Sequence, residues 1–559
     1  MTGFFGDMKK ILTDLRVSVP VIVTSLLSFG WQLIRFNIGI DDLVRDRYLG
    51  GGLFSQGRFS SPIVSYSFGF FKAFPFFEPF LGVLFLTAAA FLLICLFQKA
   101  SKGVFSRGVL TFFACIFVSY PLTNELFVYK GSDLYLGVGY FLAALSLVIV
   151  SGIFRKDGVP GETDAKRSQV ESICLRLLFS TLIWIFLVSL YEALAAVYLV
   201  LVSLYLFTEV MTGEKRAGKE TGDKNPGYIR KYFVFLAPAV LGIVLEYLLG
   251  LLLTSIIKPA VTIPAGSGIY IPETFSAEYF VNMFYQMFRK LFLAGLWYYP
   301  VALFAVSVLI ALVVFTVTGI SKRRASVILF ALGTFAGLFG LGILTGGSVK
   351  YRTCLSFAPF VAFCVTLLIY YSVRGLRENR GLHIAIQVCA AVIILTQVVS
   401  INLCFYNNDL RWQEEKTVLT DCGEALKDVG DKPVIFIGEY TLSDNILSRK
   451  YVTADDPLYK AVKKAANGIG FDLETNDLSD RYVLATCQSD FGSVISWGIH
   501  DRYGCNEELH RVFNYIGYEF TPGTLERYDE LTSSIESFPA FNETGIVTEL
   551  DDCVVVRFK

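Results

Sequence analysis

Apolar runs of about twenty residues recur so often in this chain that a bilayer is the only solvent that suits most of it. They lie near 17–38, 79–97, 109–121, 134–154, 172–190, 193–210, 232–257, 297–318, 326–344, 355–373 and 382–404. Eleven such runs predict a polytopic α-helical membrane protein with its two termini on opposite sides. Composition agrees. The 559 residues are 54% hydrophobic and 18% charged, and Phe alone contributes 50, whereas soluble domains carry about 25% charged residues. The formal net charge of zero gives no footprint for nucleic acid.

Orientation follows from the loops. With the N-terminus in the cytoplasm, the inner stretches hold 22 Lys and Arg and the outer ones 9. The bias predicts a multi-pass cell-membrane protein with a cytoplasmic N-terminus and an extracytoplasmic C-terminus. The basic start (Lys9, Lys10, Arg16) precedes an apolar run that is too long for a signal peptide and lacks a cleavage site, so it reads as an uncleaved first span. Two outer segments look interfacial rather than spanning. One is the aromatic stretch Ile63–Phe80. The other is Phe275–Lys290, with Phe280, Phe284, Met287 and Phe288 on one helical face.

After residue 404 charge becomes frequent and strand-like alternation begins. Residues 1–404 therefore read as a membrane domain and 405–559 as an extracytoplasmic α/β domain. In the latter, Trp412–Asp428 and Glu507–Ile516 read as helices. Pro433–Tyr440, Tyr482–Cys487 and a pair within Ile546–Phe558, turning at Asp551-Asp552, read as strands.

Charged residues on the outer loops are the candidates for chemistry. Asp41 and Asp42 follow the first span, with Arg45, Asp46, Arg47 and then Gly57-Arg58 close behind. An acid at the edge of a low-dielectric region gains basicity, which suits a general base. Neighbouring arginines suit a departing phosphate. Without chemistry the same loop is a solvated acidic stretch with local Asp–Arg pairs. Glu125 follows Tyr120-Pro121 on the next outer loop and could converge with the first acids on substrate hydroxyls or on a divalent ion. Gly346-Gly347-Ser348-Val349-Lys350-Tyr351-Arg352 puts two cations among glycines, a plausible phosphate cradle or headgroup contact. Glu246 lies within the seventh run, and Glu192 at the tight turn between the fifth and sixth. An acid at membrane depth is a functional hypothesis by default. Glu246 can be expected to pair with Arg35 or another cation, or to line a donor groove. The three His and the absence of Cys/His ligand spacing make a zinc site or a His base improbable.

The first span ending in a di-acidic loop resembles the GT-C superfamily of integral-membrane glycosyltransferases. The longer pattern of Asp41-Asp42, Arg45, Gly57-Arg58, Tyr120-Pro121 and Glu125 is similar to the bacterial Gtr type II glucosyltransferase family. The resemblance spans roughly the membrane part, and the PVIFIG strand is similar to the tail of that family's longer members. It implies a GT-C-like fold and inverting transfer of a sugar, with glucose expected, from a polyprenyl-phosphate donor to an envelope glycan. It also implies Asp41 or Asp42 as the base. On their own chemistry rather than on the resemblance, Lys350, Arg352, Arg58 and Arg45 are candidates for the donor phosphate, and Mg or Mn is a candidate cofactor. A donor-lipid synthase and a flippase are possible partners. The alternatives are an envelope polysaccharide polymerase or ligase, and a lipid or glycan transporter. Transporters, however, favour internal repeats and midplane charges.

Overall fold

In the computed structural model the described residues are 2–559 except 36, 38, 40–41, 43–52, 54–56, 70–75, 124–126, 128–131, 155–162, 214–226, 258–275, 289–290, 292–298, 322–323, 347–350, 376–379, 443–449, 452–463, 465–482, 485–492 and 501–505. The chain divides into two compact units. One comprises residues 1–33, 47–127 and 132–402, the other 34–46, 128–131 and 403–559.

The first unit is helical. Its elements are α1 (Thr2–Leu12), α2 (Leu15–Ile34), α3 (Ser60–Phe68), α4 (Phe77–Ala100), α5 (Arg107–Val118), α6 (Asp133–Ser151), α7 (Thr163–Leu190), α8 (Leu194–Thr212), α9 (Gly227–Ile257), α10 (Ala277–Phe288), α11 (Tyr299–Ser321), α12 (Arg324–Leu344), α13 (Phe357–Gly375) and the first part of α14 (Arg380–Ala425), whose residues from 403 on belong to the second unit. Ten of these are long and apolar enough to cross a membrane. The run near 109–121 instead forms α5, only 12 residues long. At 1.5 Å per residue it rises about 18 Å. It starts on a Ser106 cap, whose hydroxyl accepts from the Val109 N–H, and Pro121 follows its end. Its aromatic and aliphatic side chains are buried against α4 and α13.

Helix α8 is 78% buried over its apolar window, whereas α9 is 22% buried. The first is core, and the second turns most of its Leu and Val toward lipid. Small residues set the closest approaches, as expected where lipid removes the hydrophobic drive between helices. A Cβ on Gly137 of α6 would lie 2.0 Å from the Gly82 carbonyl oxygen of α4, and one on Gly82 would lie 2.4 Å from that of Asp133. These two backbones touch, which buries Asp133 in the first turn of α6.

The two interfacial candidates form helices shorter than a span, α3 and α10. On α10 the expected apolar face splits. Met283 and Met287 are buried, whereas Phe280 and Phe284 are exposed.

In the second unit, β1 (Val434–Gly438) pairs in parallel with β5 (Val554–Phe558), and β5 pairs antiparallel with β4 (Thr548–Glu549). A two-residue pair, β2 (Lys450–Tyr451) with β3 (Val483–Leu484), stands apart. Helices α15 (Val494–Ile499), α16 (Glu507–Ile516), α17 (Leu525–Ser533) and α18 (Phe541–Thr544) complete the unit. Alternate residues of β1 feed two cores. Val434 and Phe436 join Trp412, Leu419 and Phe513 on one face. Ile435 and Ile437 join Leu531 and Val555 on the other. The C-terminal part of α14 is held by a buried ion pair. Arg411 donates to Glu415 at 2.7 Å, and the other Glu415 oxygen accepts from the Val494 and Ile495 N–H groups.

Candidate active site

The site grows from the N-terminal end of α3. Gly57 adopts φ +80°, a left-handed conformation that suits glycine. The turn closes with Arg58 N–H donating to the Leu53 carbonyl at 2.8 Å. Ser60 contacts Ser189 through their hydroxyls, and Ser61 donates to the Leu190 carbonyl at 3.2 Å. These bonds dock the start of α3 on the end of α7.

Arg58 consequently lies over the short turn between α7 and α8. Its Nε donates to Glu192 Oε2 at 3.1 Å and its terminal nitrogen to Oε1 at 2.6 Å. This is a two-toothed fork, with the guanidinium also 5.0 Å from the centre of the Tyr191 ring. Burial alone would push the Glu192 carboxyl up. The charge and hydrogen bonds of Arg58 outweigh it, Arg352 adds a further pull, and the net displacement is downward.

Helix α9 contributes the second acid. Gly242, Glu246 and Gly250 are spaced four apart and share one helix face. A Cβ on Gly242 would sit 2.4 Å from Trp184 Cβ of α7, and one on Gly250 would sit 3.7 Å from Gly57 Cα. The glycines press this face onto the protein while Val244, Tyr247 and Leu248 point outward. Glu246 is therefore turned inward, with Oε1 3.1 Å from where a Gly57 Cβ would stand. Glu192 lies close enough for its charge to act on Glu246.

Arg352 sits in a single helical turn, Tyr351–Thr353, that packs against another, Pro121–Thr123. The two loops that the sequence marked as carrying Glu125 and the Lys350–Arg352 pair thus meet at their described residues. The assembled cluster contains Arg58, Arg352, Glu192 and Glu246. Two of the four, Arg58 and Arg352, are donor-phosphate candidates from the sequence. Glu192 as the partner of Arg58 is new. Its signal in the sequence was faint, being only a charged residue at a two-helix turn. Glu246 had a clearer one, the glycines spaced four before and four after it.

Asp42 belongs to the second unit. Its carboxylate accepts from the Gly39 N–H at 2.9 Å, and its own N–H donates to the Gly39 carbonyl at 3.1 Å. Its charge acts on Tyr515 of α16. Asp41, Arg45, Glu125 and Lys350 lie outside the described residues.

Among the described residues no three His, Cys, Asp or Glu side chains gather as a metal site would need. Both oxygens of Glu192 are engaged by Arg58. Asp41 and Glu125, acids expected to hold a divalent ion, lie outside the described residues.

The family description "Glucosyl transferase GtrII" matches residues 30–369, more than half of the chain. The chain belongs to the GtrII glucosyl transferase family. No curated protein and no solved structure matches it. This GtrII family member is accordingly a multi-pass membrane glycosyltransferase. The matched span contains the whole Arg58–Glu192–Glu246–Arg352 cluster and Asp41-Asp42. The sheet of the C-terminal unit lies beyond it.

Proposed function

We propose that the protein moves a glucosyl group from a polyprenyl-phosphate donor to an envelope glycan on the outer side of the membrane. The observation that carries this reading is the Arg58 fork over the α7–α8 turn, with Arg352 near enough to act on the same carboxylate. Two cations at the ends of apolar spans suit a phosphate whose lipid tail lies in the bilayer. In the resting state Glu192 holds the place of that anion. When donor enters, Arg58 and Arg352, joined by Lys350, balance the charge that develops on the departing phosphate. Asp41 or Asp42 takes the proton of the attacking hydroxyl, and the anomeric carbon inverts. The 405–559 domain binds acceptor polymer.

A second assignment of the base has its own support. Glu246 shares the cluster with Arg58 and is turned inward at membrane depth. Three variants separate the two assignments: Asp41→Asn, Asp42→Asn and Glu246→Gln, each assayed for glucosyl transfer from polyprenyl-phosphate glucose. The aspartate reading expects one of the Asn variants to lose about 10²-fold or more in rate. If both Asn variants keep full rate and Glu246→Gln does not, the base is Glu246.

A further inference from the structure

A second charged site lies where α1, the end of α4 and the start of α5 meet. A pocket of about 580 Å³ is lined there by Asp7, Lys10, Gln98, Lys99, Lys102 and Arg107. Four cations face one acid across it. Two of the cations are partly neutralised, Lys99 by Asp7 at 3.0 Å and Arg107 by Asp14 at 3.1 Å. Lys10 is 3.7 Å from Asp7 and its side chain is 69% exposed. Lys102 is exposed and is held at φ +52°, a conformation L-residues adopt at some cost, in the turn that closes α4.

The depth of this pocket is set by the chain. Lys99 ends the apolar helix α4, and Asp14 and Leu15 begin α2, so the pocket stands at the level where hydrocarbon gives way to headgroups. Apolar side chains near the lining residues in the chain are left uncovered. Phe5 of α1 is 65% exposed, Leu15 is 70% exposed, and Leu12 and Val104 are also exposed. Lys9 and Lys10 sit in the last turn of α1, beside these residues. Helix α1 has the form of an interfacial helix: apolar residues for acyl chains and lysines for headgroups.

We propose that this pocket binds the headgroup of an anionic phospholipid, with Lys10, Lys102 and Arg107 around the phosphate and Phe5, Leu15 and Val104 against the acyl chains. The occupant is a bilayer lipid rather than a free anion because uncovered apolar residues of α1, α2 and the turn after α4 neighbour the lining cations in the chain, as a lipid with acyl chains requires and a soluble ion does not. Basic pockets between helix ends at this level recognise lipid headgroups through charge and shape together.

The test uses the full chain in nanodiscs of phosphatidylcholine doped with phosphatidylglycerol. Native mass spectrometry counts retained phosphatidylglycerol, and a titration gives its apparent affinity. The Lys10→Gln/Lys102→Gln double variant removes two exposed charges, and Lys102→Arg serves as the charge-preserving control. Near a membrane surface each such charge contributes enough that losing two weakens binding about 30-fold. The expected result is selective retention of phosphatidylglycerol by the native chain and by Lys102→Arg, a loss of that order in the double variant, and no competition from millimolar glycerol phosphate. Equal retention by the native chain and the double variant would overturn the proposal. So would an absence of preference over phosphatidylcholine, or displacement by glycerol phosphate, which would make the pocket a site for a soluble anion. None of these readouts depends on glucosyl transfer.

Discussion

Replacing Arg58 separates catalysis from stability, because the structure gives its ion pair little weight in folding and the mechanism gives it much in turnover. The Glu192 side chain is 55% exposed and that of Arg58 29%. A pair so placed contributes no more than about 1 kcal/mol to the fold. A donor aimed at a developing oxyanion is typically worth about 3–4 kcal/mol, or 10²–10³ in rate. Arg58→Gln should therefore lose 10²–10³ in turnover while its unfolding midpoint stays within a few degrees of the native value. Arg58→Lys keeps the charge but cannot reproduce the fork, since one nitrogen replaces the two that meet Glu192 at 3.1 and 2.6 Å. It should fall between, about 10-fold down. The assay is the initial rate of glucosyl transfer from polyprenyl-phosphate glucose, normalised to folded protein, beside a thermal scan of the same samples. If Arg58→Gln turns over within threefold of the native chain, Arg58 does not serve the phosphate. If rate and midpoint fall together, the residue is structural and the reasoning fails.

Gly137→Ala should yield little folded protein, because its Cβ would stand 2.0 Å from a backbone oxygen of α4 that cannot swing away. Recovery of a monodisperse peak in detergent gel filtration at native yield would refute this. Glu415→Ala leaves Arg411 buried without its carboxylate and removes the acceptor for two N–H groups of α15. The second unit should lose about 3–5 kcal/mol, read as faster proteolysis beyond residue 425, and pairing it with Arg411→Met should restore much of the loss. His510 is buried, and its Nε2 donates to the Val434 carbonyl 3.1 Å away. Burial depresses its pKa to about 4, with the Val434 contact pulling the other way. The folded state thus stays neutral while the unfolded chain takes up a proton near pH 6.5. Stability is full above that value and is lost as pH falls toward 4, by about 3 kcal/mol at most. Denaturant unfolding of the second unit across that range should show this slope, and His510→Gln should flatten it.

The sequence made the membrane part legible because hydropathy reports lipid directly. It also marked most of the second unit, where β1, α16 and the β4–β5 pair fall within the expected segments, since period-2 alternation and glycines survive without context. Other features were hidden for physical reasons. Residues between Leu382 and Cys422 include no glycine or proline, so the last span and the expected helix at Trp412 run together as α14. An apolar run reveals composition but not helix length, and the run near 109–121 forms a helix of only 12 residues. The parallel pairing of β1 with β5 joins segments more than a hundred residues apart, which local pattern cannot specify. In the candidate site, Arg352 stood out as a cation among glycines on an outer loop, and Arg58 as a cation close behind the Asp41-Asp42 pair. The link from Arg58 to Glu192 crosses 134 positions and depends on two serines docking α3 on α7.

The claim that matters most is the donor. Purified protein in liposomes, supplied with polyprenyl-phosphate glucose labelled in the sugar and with an envelope glycan, should release polyprenyl phosphate and label the glycan in equal amounts, with inverted anomeric configuration. Labelled donor that crosses the bilayer intact, with no polyprenyl phosphate released under any acceptor, would contradict the account.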